Sequence, residues 1–497
     1  MARNEKRGRI VSLCINNVTY KRCIVSLWDP LTPDARVVFF RRESDDDALA
    51  SFALKGLLPE VTGNIVSART LRGASVFSFV CDSEEVAEEW LCAFLKSTKQ
   101  TGERSISVSD LLQNSADFIA THPDPPFSLT AIANVPLMVK VESFQTVIAV
   151  PPQDRLHFVE HCDLSETGIR GVFWRLCFDC IDITQPLSTW ASQFQLLRTS
   201  YEESRARHMD VLLRAQRIET DIGQETRDSS RYRALHDIEM MIRKDCSRTF
   251  SNLLFFKSSV VQDLVVRLLL VFAVDHPTLG YKQGMTDILA ILLLCLFCER
   301  WRGDSDDSFG GMSRHTRELL DSHLKVDRRR MEAEIAAVAQ LSAEQRGIVE
   351  TLRHLTDEAF LEHDCYILFE RLILPMQGSF IESGDQSITR RIDHVTSLVA
   401  GENPAILRHL SEIGVIPSMF LVRWLRLLLS REFPVGGVFF LWDRFFASGD
   451  GAFHLLDGVS AGLLLSRGRE VCGCGGIAEA LGVLQDGGKS VSVRLVW

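Results

Sequence analysis

A chain of 497 residues exceeds what one ordinary core organises, so two or three folded units are expected. With 46% hydrophobic and 24% charged residues it can bury those cores, which excludes a disordered chain. Fifty-five basic against 65 acidic side chains leave a net charge of −10, which excludes a global field drawing the chain to nucleic acid.

The opening Met1 to Arg9 is polar and basic, and Asn16 and Asn17 interrupt the segment after it, so no signal-peptide core is read. Strands are predicted over Arg9 to Asn16, Tyr20 to Trp28, Arg36 to Arg42 and Val76 to Cys81, each rich in Val, Ile and Phe and bounded by turn formers. A helix follows at once. Asp82 with Glu85 has the spacing of a capping box, and Val86, Trp90 and Phe94 recur every four residues along one face.

Strands closed by one amphipathic helix with a central Trp resemble the pleckstrin-homology superfold over residues 1–100. The resemblance implies a small β-barrel with that helix plugging one end. It also implies an inositol-phosphate grip by basic residues of the first two strands, here Lys6, Arg7, Lys21 and Arg22. Cys23 and Ile24 stand where the lipid-binding pattern wants a further base, so a docking module independent of lipid is an equal reading.

Residues 101–160 read as a linker broken by Pro123, Pro125, Pro126, Pro136, Pro151 and Pro152, although Leu129 to Val150 alternates enough to form strands. From residue 161 the periodicity is helical. A charged interval near 300–345 reads as a surface insertion, and residues 466–497 as an irregular, Gly-rich tail. Val260 to Val274 carries Asp263 and Arg267, and Ile288 to Cys298 is about half the ~20 apolar residues a membrane span needs; both read as buried core helices. The pairs Cys177/Cys180 and Cys295/Cys298 lie in apolar helical patterns without neighbouring histidines, so reduced thiols are expected and no metal site.

Three signatures lie in order in the helical half. They are Gly168-Ile-Arg170-Gly-Val-Phe-Trp174, then Ile242-x-x-Asp245-x-x-Arg248-Thr-Phe, then Tyr281-Lys-Gln283-Gly284-Met285. Leu361-Glu-His-Asp364, Arg423-Trp-Leu-Arg426, Arg431-Glu-Phe-Pro434 and Leu441-Trp-Asp443 follow. Together they resemble the TBC-domain family of Rab GTPase-activating proteins over residues 161–465, nearest to the branch typified by TBC domain family member five. The fold implied is mainly α: an all-helical TBC domain after the small β-barrel.

The resemblance implies that Arg248 and Gln283 are an arginine finger and a glutamine finger lent in trans to a Rab GTPase, which brings its own GTP and Mg²⁺. The chain then holds no cofactor of its own and is an activator, not itself a hydrolase. Asp245 orients the arginine, Tyr281 holds the glutamine loop, and Gly284 permits its turn. Ile242 belongs to the same motif, while Arg170 and Trp174 prop the interior. Further expectations from the resemblance are a cytoplasmic protein peripheral at endosomal or other vesicle membranes, with a phosphoinositide membrane or a retromer-type coat as additional partner.

Each residue has a plainer account when taken alone. An arginine at a helix end compensates the helix dipole, and a glutamine in a turn is solvated. The ordered set favours the catalytic account, with a silent Rab-binding or endosomal coat adaptor as the alternative.

Overall fold

The computed structural model describes residues 5–15, 18–28, 36–42, 48–53, 57–70, 75–99, 127–218, 227–302, 314–381 and 387–485, with 491 and 493. The chain divides into two compact units, Met1–Asn114 and Ser115–Trp497.

The first unit is a seven-stranded antiparallel sheet: β1 (Glu5–Ile15), β2 (Val18–Trp28), β3 (Arg36–Phe40), β4 (Ala50–Ala53), β5 (Leu57–Thr62), β6 (Ile65–Thr70) and β7 (Ser75–Val80). Their order is β4-β3-β2-β1-β7-β6-β5, which leaves the short β4 and β5 as edges. Helix α1 (Glu84–Lys99) packs against β5 and β6. Strand alternation puts Leu13, Val25, Phe39, Phe77 and Phe79 on one face, where Trp90 and Phe94 of α1 meet them. Phe79 stands edge-on to Trp90 at 6.1 Å.

Two expectations need correction. The sheet is open and not a closed barrel: among the described residues β4 and β5 do not pair, and closure requires its two edges to meet. The cap of α1 is Ser83, whose hydroxyl accepts the Val86 amide at 3.3 Å, and not Asp82.

The second unit is helical; a single parallel bridge, Trp301 to Asp357, is the one β-contact among its described residues. Its centre is helix Met285–Glu299, buried along its whole length as an all-round apolar sequence dictates. Helices Arg170–Cys177, Ser259–Asp275 and Leu361–Ile373 surround it. Cys295 and Cys298 lie inside this core as free thiols, with burial pushing the Cys298 thiol up to about 12. Among the described residues no helix is long and apolar enough to cross a membrane.

Leu129 to Val150, expected as possible strands, forms helices Leu129–Ala133 and Leu137–Ile148 instead. Pro136 is the N-cap of the second, a place where proline costs nothing, and Val141, Phe144 and Val147 become its buried face. The interval near 300–345 carries helices Arg314–His323 and Arg328–Ala337, and it is bound into the domain. Buried Arg300 bridges Asp321 at 3.0 Å and Glu358 at 3.2 Å, and Arg317 reaches Glu358 at 2.7 Å. The tail is also structured, with helices Gly468–Cys472 and Ile477–Gln485 burying Val471, Ala480 and Leu484.

Candidate functional site

Helix Arg227–Cys246 ends one residue after Asp245, so Arg248 lies in the turn that follows and not on the helix itself. The Arg248 amide still reaches the Asp245 carbonyl at 3.2 Å, so the spacing of three brings guanidinium and carboxylate together. Arg248 donates through one terminal nitrogen to Asp245 Oδ1. Its side chain is 44% exposed whereas that of Asp245 is 4% exposed, so a buried anion holds one terminal nitrogen of an accessible guanidinium. Phe250, two residues on, adopts a left-handed φ of 44°, which turns the chain sharply away.

The second segment approaches through the same carboxylate. The Tyr281 hydroxyl donates to Asp245 Oδ2, and burial together with that anion pushes the phenol far above its ordinary range, so it remains a donor. Gln283 is exposed two residues later, in the turn before helix Met285–Glu299. Gly280 and Gly284 bracket it at φ 59° and 97°, conformations that any side chain would strain. A second tie lies close by: the Thr249 hydroxyl meets the Thr286 hydroxyl at 3.2 Å. The two links therefore join the neighbours of Arg248 to the neighbours of Gln283, so the two turns form one linked edge on which both residues are exposed.

Below this edge Asp287, buried in the first turn of the central helix, takes a two-pronged bond from Arg431 at 2.9 and 2.8 Å. Burial raises its carboxyl above the ordinary value, opposed by Arg431 and reinforced by the nearby Asp245 charge. Ile242 is fully buried beneath the same turn.

Arg170 and Trp174 lie apart from this edge, in the interior. Arg170 donates to both oxygens of Asp443 at 3.0 and 3.1 Å, and the Trp174 indole donates to Asp443 Oδ1 at 2.9 Å. Glu299 accepts the Arg170 and Gly171 amides at 2.9 and 2.7 Å, capping the helix they begin. The later acidic segment is interior too. Asp364 accepts from Arg175 and Arg198 at 2.8 and 2.7 Å, and Glu362 from Tyr201 and Arg267, both at 2.8 Å.

The β1–β2 register sets the backbone positions of the four basic residues read as a lipid grip. Arg7 faces Ser26 across the β1–β2 ladder while Lys21 faces Ser12, which puts Lys6 and Arg7 about 17 Å along the hairpin from Lys21 and Arg22. Spacing in sequence hid this, because the hairpin register decides which residues are neighbours.

A cleft of about 560 Å³, lined by Trp301, Arg302, Arg317 and Arg328 among others, lies at the far end of the central helix from Gln283. One cluster escaped the sequence reading. His157, Glu160 and His161, exposed on helix Arg155–His161, bring their ligand atoms within 4.8 Å of one another and could hold a divalent cation with water completing its shell. The H-x-x-E-H spacing was the available signal.

Residues 168–470 match the family model described as the Rab-GTPase-TBC domain. Human TBC1 domain family member 5 is 23% identical over 333 residues, covering 61% of this chain and 37% of that protein. TBC1 domain family member 5 homolog A of Dictyostelium discoideum is 22% identical over 356 residues, covering 56% of this chain and 30% of that protein. The chain thus spans about a third of the length of these curated relatives. The crystal structure of the Ypt/Rab-GAP domain of Gyp1p superposes with a TM-score of 0.50 at 17% identity, covering 72% of this chain and 96% of that one; the likeness is one of fold.

Proposed function

We propose, from the fact that this chain belongs to the Rab-GTPase-TBC domain family, that it accelerates GTP hydrolysis by a Rab small GTPase, lending Arg248 and Gln283 to the partner's active site. The observation that carries this reading is the shared carboxylate of Asp245, which ties the guanidinium of Arg248 to the tyrosine of the glutamine segment.

The chemistry suits those side chains. GTP hydrolysis spreads negative charge over the transferring phosphoryl group, and an inserted guanidinium neutralises it with fixed donors in a site that excludes water. Such an arginine contributes up to about 10⁵ in rate, equivalent to roughly 7 kcal/mol of barrier. The attacking water must also be aimed, and a carboxamide can accept from the water while donating to the phosphate side. Arg248 begins paired to Asp245; on docking it would keep that contact through part of its fork and present the rest to the phosphate. Asp245 thus orients the finger, Tyr281 orients Asp245, and Gly284 lets Gln283 project.

Phosphate release from a panel of GTP-loaded Rab proteins, with and without the full chain, tests the reading. At least one member should hydrolyse GTP faster by several orders of magnitude. A complete panel without acceleration would refute it.

A further inference from the structure

The polypeptide between helices Ser418–Arg426 and Val435–Ala447 turns through two consecutive non-glycine residues in left-handed conformations, Leu428 at φ 49° and Leu429 at φ 58°. Two such residues in succession are strained, and the surroundings must hold them there. They do so with several bonds. The Leu429 amide donates to Trp424 O at 2.9 Å, the Trp442 indole donates to Leu428 O at 3.0 Å, and Glu432 grips Arg423 at 2.8 and 2.7 Å.

The residues on either side of the strained pair both face the glutamine segment. A β-carbon on Gly284 would lie 2.3 Å from Leu427 Cδ2, so this leucine fills the space that a side chain beside Gln283 would need. Arg431 spans the other side, its fork on Asp287 in the first turn of the helix that Gln283 precedes. One turn therefore touches the glutamine segment at two points, by apolar packing immediately after Gln283 and by a charged fork four residues after it.

We propose that the turn from Leu427 to Arg431 is the positioning device for Gln283: Leu427 seats Gly284, Arg431 fixes Asp287, and the strained pair between them sets the separation of the two contacts. The inference rests on the reading of Gln283 as a residue lent to a Rab GTPase. Arg431 and Leu427 act through Gln283 and are positioning residues. Without them the glutamine turn would still form, but its carboxamide would sample orientations in which the water is not aimed.

The test uses the full chain and a Rab that it accelerates, with the maximal stimulated rate and the half-saturating chain concentration measured separately. Arg431→Ala and Leu427→Ala are each expected to lower the maximal rate about 10- to 100-fold, as displacements near 1 Å do, and to leave half-saturation within about twofold. Arg431→Lys keeps the charge but loses the fork, and should fall between wild type and Arg431→Ala. If Arg431→Ala fails to fold, Arg431→Lys and Leu427→Ala decide the matter.

A folded variant with an undiminished maximal rate, or with its loss confined to half-saturation, overturns the proposal. Gln283→Ala runs alongside to separate the two ideas. Loss of acceleration there, with Arg431 and Leu427 variants at full rate, removes only the positioning turn; acceleration surviving Gln283→Ala removes the glutamine reading and this inference with it.

Discussion

Arg248 and Tyr281 share one carboxylate: the guanidinium holds Asp245 Oδ1 and the phenol donates to Oδ2. An anion buried to this degree needs both partners, since each unsatisfied lone pair is an uncompensated loss of water. The orientation of the exposed arginine is therefore coupled to a tyrosine that belongs to the glutamine segment.

Tyr281→Phe tests that coupling. It removes one donor from a buried carboxylate and should cost about 1.5–3 kcal/mol in denaturant unfolding, the scale of a hydrogen bond to a charged group. It should also lower Rab-stimulated hydrolysis, because Asp245 is freed to rotate. Unchanged stability and unchanged rate together would show that the shared carboxylate is incidental.

Gly284→Ala puts a β-carbon at a φ of 97° and 2.3 Å from Leu427 Cδ2. Strain and overlap together are expected to destabilise the domain by about 2–4 kcal/mol and to displace Gln283. Gly280→Ala has the same sign of φ but open space around its β-carbon, and should cost less. The order of the two unfolding midpoints checks this.

Asp443→Ala would strand the buried Arg170 guanidinium and leave the Trp174 indole without its acceptor. Removing one partner of a buried pair costs about 3–5 kcal/mol. The effect should appear in unfolding and not in the rate per folded molecule, because neither Arg170 nor Trp174 reaches the candidate edge.

Acid should loosen the helical unit through Glu362. Burial pushes this carboxyl up, but the Arg267 fork, the Tyr201 hydroxyl and the Arg205 charge together outweigh it and hold it below the usual glutamate value. A depressed folded pKa means that the unfolded chain binds the proton first. The stabilisation is thus complete above about pH 4.3, the unfolded glutamate value, and is lost as pH falls through the lower folded value. Unfolding midpoints measured down through this window should drop more steeply for wild type than for Glu362→Gln.

What the sequence disclosed and what it concealed have physical reasons. Helix Met285–Glu299 was legible because a run apolar on every side can only be interior. The pairing of Asp245 with Arg248 was legible because a spacing of three puts them on neighbouring turns, whereas the Tyr281 bond to the same carboxylate spans 36 residues and no local spacing marks it. The Asp287–Arg431 fork joins residues 144 apart and was invisible, since nothing local marks a partner at that distance. The closed barrel was misjudged for a related reason. Alternation along each strand says which face is buried, but closure depends on whether edges such as β4 and β5 meet. Leu129 to Val150 misled through its alternation, which yielded to an apolar face of Val141, Phe144 and Val147 at helical spacing.

The most direct measurement is single-turnover loss of the γ-phosphate from a responsive GTP-loaded Rab, with saturating wild-type chain beside Arg248→Ala and Gln283→Ala. Removal of the arginine should cost about 10³–10⁵ of the acceleration. Loss of the glutamine should also depress the rate strongly while the GTPase still binds. Either variant working at the wild-type rate would contradict the two-finger account.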